Sequence, residues 1–122
     1  MKKYFSNKNS IYIGIFLFLL QPVSLLALTL QQKIFFSGYV AAQRCLLKQG
    51  HVSRDRFEAS KKISIRKYGY DFYSDRKINR GANMFLKEMM SRGIICSNTR
   101  EMNNLSNQLP NKFFQKLTNT LR

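Results

Sequence analysis

The sequence predicts an all-α protein: a small bundle of four to five short helices following an N-terminal signal peptide or anchor. Three observations lead there. Apolar residues recur at i, i+4, i+7 and i+11 in two separate stretches: Phe35, Tyr39, Ala42 and Leu46, then Ile78, Ala82, Phe85 and Met89. Each stretch runs out at a glycine that follows a cation, Gly50 after Lys48 and Gln49, and Gly93 after Arg92, as helix C-termini favour. The 122 residues contain no Asn-Gly or Asp-Gly hairpin signal and no internal repeat.

The leader comes first. Lys2, Lys3 and Lys8 precede residues 11–20 (IYIGIFLFLL), an unbroken apolar run with the length of a signal-peptide core. Gln21 and Pro22 interrupt it, and residues 23–30 (VSLLALTL) resume it. A signal peptide over 1–27, cut after the small Ala27, is one expectation; an uncleaved anchor over 11–30 is the alternative, since that combined run is long enough to cross a bilayer. In both cases the remainder faces away from the cytoplasm, in the periplasm or the extracellular space or tethered to a membrane, because the lysines hold the N-terminus inside. Cleavage leaves 122 − 27 = 95 residues, enough for one domain. It divides into a helical domain at 28–109 and a short amphipathic C-terminal segment at 110–122.

Within the exported part, the first helix runs between Thr29 and Gln49 and carries Cys45 in its last turns. Ser53 or Asp55 caps a second helix, where Asp55 and Glu58 take the spacing of a capping box. Its apolar stripe, Phe57, Ala59, Ile63 and Tyr68, is weak, and the alternation of residues 62–67 (KISIRK) admits a short strand instead. Gly69 breaks the pattern. Ser74 or Asp75 caps the third helix, the clearest in the chain. After Gly93, Ile94 and Ile95 lead an apolar return that brings Cys96 back toward the first helix. Asn98 and Glu101 offer a cap for a short helix through Met102 and Leu105 as far as Leu109. Residues 103–111 (NNLSNQLPN) read as a polar connector or frayed tail. Pro110 stops that helix, and Phe113, Phe114, Leu117 and Leu121 mark a last amphipathic turn or two.

Cys45 and Cys96 are the two cysteines, and export leads to an oxidising compartment. One disulfide is expected, with a pair of buried free thiols as the alternative. Closing a loop of that length is worth about 4 kcal/mol by chain entropy.

Of 21 Lys and Arg, three precede the apolar run, so the exported part has 18 against all six acids, a formal charge of 18 − 6 = +12. Such a field favours an anionic membrane surface, a polyanion or an acidic protein as partner. The most unusual local composition is in residues 65–80 (IRKYGYDFYSDRKINR), where the four aromatics Tyr68, Tyr70, Phe72 and Tyr73 are flanked by cations. Expected contacts with an anionic partner are Arg54, Arg56, Lys61, Lys62, Arg66, Lys67, Arg76, Lys77 and Arg80, with Tyr70 and Phe72 as stacking or insertion groups. Sequence-specific nucleic-acid recognition is not expected, because no helix-turn-helix or RNP pattern is present and an exported protein does not meet the chromosome.

Catalysis has little to stand on. His51 is the only histidine, so neither a zinc site nor a histidine base has enough partners. Asp71 and Asp75 are the closest carboxylate pair around a loop, and a helix cap with a local turn bond accounts for them more simply. No G-x-S-x-G, P-loop or G-x-G-x-x-G motif occurs. The expectation is a binding protein without enzymatic activity, metal or cofactor, with a membrane-anchored accessory subunit of an envelope complex as the second reading.

Overall fold

The computed structural model describes residues 28–122, and the leader lies outside that range. Five α-helices and one 3-10 turn follow in order: α1 (Leu30–Lys48), α2 (Arg54–Tyr68), the turn (Phe72–Ser74), α3 (Arg76–Ser91), α4 (Thr99–Gln108) and α5 (Asn111–Leu121). No strand occurs among the described residues, so the fold is all-α. The KISIRK alternation is helical, because only Phe57 and Ser64 of α2 are fully buried and nothing extended lies beside it to pair with.

Local chemistry sets each boundary. Thr29 and Gln32 form a reciprocal capping box at the start of α1. Ser53, Asp75 and Asn98 each accept a main-chain N–H in the first turn of α2, α3 and α4. Asp55 and Glu58 do not form the anticipated box. Helices α1 and α3 end in the same motif: Gly50 and Gly93 take positive φ (77° and 66°), and the N–H groups of His51 and Ile94 donate to the carbonyls of Leu46 and Met89. That doubly bonded ending satisfies carbonyls the helix leaves open. Ile94 and Met89, joined by one of these bonds, are both buried.

Packing centres on α1 against α3, with α5 lying across both and α2 with the 3-10 turn on the other flank of α1. Phe36, Val40, Ile78, Ala82, Leu117 and Leu121 are almost wholly buried, each contributing roughly 1.5–3 kcal/mol apart from the smaller Ala82. The stripe expected on α1 is displaced. Phe35 is 45% exposed, whereas Phe36, Ser37, Val40, Ala41 and Cys45 are buried, on a side roughly 160° away at the helical pitch. Helix α1 is apolar nearly all round because it is covered on two flanks, so periodicity alone does not select which face is deepest. On α3 the expected stripe of Ile78, Ala82, Phe85 and Met89 is the buried one. Residues 103–108 are helical rather than a loose connector, held by Leu105 and Leu109 in the core. The 110–122 segment is a full helix whose Phe113, Leu117 and Leu121 belong to the same core as α1 and α3.

The sulfurs of Cys45 and Cys96 are at bonding distance, with Cα atoms 5.9 Å apart, tying the end of α1 to the loop before α4. Gln49 reinforces the link: its amide nitrogen donates to the Ile94 carbonyl at 2.7 Å and its amide oxygen accepts from Cys96 N at 2.9 Å. No helix among the described residues is long and apolar enough to cross a membrane.

Candidate functional site

Helix α2 carries the highest density of cations and presents them in two sets. Its outer side holds Arg56, Lys62, Arg66 and Lys67, all exposed, with Asp55 as the acid among them. None of these four cations makes a salt bridge among the described residues. Ile63 lies between them and is 60% exposed, an apolar group in the middle of a charged face.

The opposite flank of α2 faces the end of α1 across an open cleft of about 630 Å³. Ser53 starts α2 directly after the α1 ending, so the last turns of one helix and the first turns of the next lie side by side. Arg44, Leu47 and Lys48 come from α1, Arg54, Phe57, Glu58 and Lys61 from α2, Tyr73 from the 3-10 turn and Leu86 from α3. Four cations face one acid, 4 − 1 = +3. Glu58 is shared at 3.8 Å from Arg54 and 3.9 Å from Lys61, exposed pairs worth at most about 1 kcal/mol each.

Arg44 has no carboxylate within salt-bridge distance among the described residues. Its Nη2 donates to Asn79 Oδ1 at 2.6 Å, and the Asn79 amide nitrogen donates to the carbonyls of Tyr73 and Asp75. Burial lowers the guanidinium from its usual value, against a smaller opposing effect of Tyr73, yet that value is so high that the charge is kept.

Tyr73 is 5% exposed, stacked on Phe72 and edge-on to Phe57, with Lys61 Nζ 5.5 Å from the ring centre. Its hydroxyl oxygen is shut from water and has no hydrogen-bond partner among the described residues. The neighbouring Ser64 hydroxyl is bonded to Tyr39 at 2.7 Å. Burial, with Tyr39 nearby, pushes the Tyr73 phenol up to about 12, so it remains a neutral donor.

Two expected contacts, Arg54 and Lys61, thus meet in the cleft, and four more share the outer side of α2. Arg76 and Arg80 are exposed at the start of α3. Lys77 is already engaged: it donates to the Arg122 carbonyl, as Lys33 does to Leu121, so both cations meet the negative end of α5. Phe72 is a correction. It is fully buried and stacked on Phe36 with ring centres 4.3 Å apart, a core residue rather than an insertion group. Tyr70 is half-buried, and its hydroxyl donates to Asp75 Oδ2 at 2.5 Å. Burial, then the bond to Asp75, raises that phenol to about 12. Burial alone would raise the Asp75 carboxyl, but bonds from Tyr70 and from the main chain of Ile78 and Lys77 outweigh it and hold it below the ordinary range. Asp71 accepts from Ser74 Oγ at 2.8 Å. His51 is exposed, and no three His, Cys, Asp or Glu side chains converge among the described residues.

Sequence reasoning missed Arg44, Lys48 and the role of Tyr73. A lone charge in the otherwise uncharged stretch between Lys33 and Lys48 is the signal that marks Arg44. The unpartnered hydroxyl of Tyr73 leaves no sequence signal. The chain matches no family model, no curated protein and no solved structure.

Proposed function

We propose that the protein is an exported, non-catalytic binding protein that docks on an anionic membrane surface through the outer side of α2. The observation that carries this reading is the set of Arg56, Lys62, Arg66 and Lys67, unpaired with any acid and arranged around the exposed Ile63. Cations bring the helix to anionic headgroups, at about 1 kcal/mol each, and an apolar side chain at their centre enters the headgroup layer. A soluble polyanion offers no layer for Ile63, which favours the lipid surface. The lysine-flanked leader supplies the route out of the cytoplasm.

Cosedimentation with phosphatidylcholine vesicles, with and without phosphatidylglycerol, tests this. Binding is expected only where the anionic lipid is present. Replacing Arg56, Lys62, Arg66 and Lys67 together by Gln weakens it by roughly a thousandfold, and Ile63→Ser weakens it further without changing the charge. Equal binding to neutral vesicles, or full affinity in the fourfold variant, overturns the reading.

A further inference from the structure

We propose a second binding site, separate from the outer side of α2: the cleft between α1 and α2 takes the phosphate monoester of an organic ligand, held by Arg44 and the Tyr73 hydroxyl. Three features converge there. Arg44 is a half-buried guanidinium whose only side-chain partner among the described residues is the neutral amide of Asn79, leaving donors of its planar fork for an anion. Tyr73 supplies an O–H that is 95% buried with its residue and has no hydrogen-bond partner among the described residues, the nearby Ser64 hydroxyl being bonded to Tyr39, a condition native interiors rarely leave without cause. It lies close enough to Arg44 and Glu58 of the cleft wall for their charges to act on it. Lys61 rests over the Tyr73 ring on a flexible stem, so it adjusts at little cost when an anion enters beside Arg44.

The charge of the cleft selects among anions. Its excess of three positive charges exceeds what one carboxylate neutralises and suits the near-dianion of a phosphate monoester, with Lys48 and Arg54 at the rim. Leu47, Phe57 and Leu86 form the rest of the wall, so the phosphate's organic substituent is apolar or aromatic. Two sources present that chemistry, a soluble aryl or alkyl phosphate and the headgroup of a phosphatidic-acid type lipid.

Titration of the full chain with phenyl phosphate, followed by calorimetry and amide NMR, tests the site. Saturable binding at one equivalent is expected, with shifts centred on Arg44, Lys61 and Tyr73, and the phenylacetate anion, a monocarboxylate, binding at least tenfold more weakly. Arg44→Gln lowers affinity tenfold or more. Tyr73→Phe lowers it three- to tenfold while leaving the melting temperature unchanged or higher, which separates a ligand contact from a structural role. Displacement by phenyl phosphate of the fourfold Gln variant from vesicles containing phosphatidic acid identifies the headgroup as the source; binding of phenyl phosphate in solution with no such displacement identifies a soluble phosphate. Absence of saturation, or equal affinity in wild type, Arg44→Gln and Tyr73→Phe, overturns the proposal. Phosphatidylglycerol binding through α2 is measured in the same preparation, so loss of the cleft site and loss of surface docking are read separately.

Discussion

Asp75 joins three jobs in one residue: its carboxylate caps α3 through Ile78 N at 3.0 Å and accepts the Tyr70 hydroxyl, and its main-chain N–H donates to the Phe72 carbonyl to close the 3-10 turn. Asp75→Ala should cost about 1 kcal/mol for the cap, and more for the partner left without a bond, measurable by urea unfolding. Asp75→Asn keeps most of the cap. The pH dependence follows from the direction of the shifts. Asp75 is held low in the fold, so its contribution is complete above the unfolded value near 3.9 and is lost as pH falls from there through the folded value. Tyr70 and Tyr73 are raised to about 12, against about 10 when unfolded, so stability is unaffected by them below about pH 10 and declines as pH rises toward 12. Urea midpoints should therefore fall on the alkaline side in wild type and fall less in Tyr70→Phe, if that variant's loss of the Asp75 bond is scored against its own neutral-pH value. An alkaline limb identical in wild type, Tyr70→Phe and Tyr73→Phe contradicts this assignment.

At the scale of elements, the crossing of α1 and α3 depends on Gly81. A Cβ there would run into Ser37, lying 2.9 Å from its Cβ and closer to its hydroxyl oxygen, and 3.1 Å from Leu121 Cδ2. Gly81→Ala should lower the melting temperature although alanine is the better helix former by about 1 kcal/mol, because overpacking a buried crossing costs about 1–3 kcal/mol. Leu117→Ala, at a side chain with no exposure, should cost about 2–5 kcal/mol and show that α5 is integral to the fold. A cost under about 0.5 kcal/mol would make α5 an appendage. Much of this level was legible beforehand. Caps at Ser53, Asp75 and Asn98 and the glycine endings at Gly50 and Gly93 are local bonds between near neighbours in the chain, and the stripe of α3 has one apolar side. The deep face of α1 was not legible, since a helix covered on two flanks has no single stripe. Nor was the burial of Phe72: the composition around it suggests a cationic aromatic surface, but its position is settled by contacts with Phe36 and Tyr68 from other elements.

For the whole molecule, the two links between distant parts are the Cys45–Cys96 bond and the shared core of α1, α3 and α5. A domain of this size has about 5–15 kcal/mol of stability in total, and the bond supplies about 4 of it. Reduction, or Cys45→Ala with Cys96→Ala, should move the urea midpoint down by a quarter or more of its value while the helical far-UV signal persists below the transition. An unchanged midpoint would mean that the packing of Gln49 and Ile94 already holds that end of the molecule. The proposed binding surface and cleft divide the same way between legible and hidden. Net charge and the run of cations on α2 are properties of the sequence, and so is the reading of an anionic partner. The cleft is not, because Arg44, Lys61 and Tyr73 meet only when α1, α2 and the 3-10 turn are packed together.

Surface docking through charge has one direct measure: affinity for phosphatidylglycerol-containing vesicles as salt is raised from low to physiological concentration. Attraction between exposed charges is screened over about 10 Å at roughly 0.1 M salt, so the affinity should fall steeply, and less steeply once Arg56, Lys62, Arg66 and Lys67 are Gln. Affinity that stays flat across that range would contradict electrostatic docking and leave the +12 charge of residues 28–122 without a role in binding.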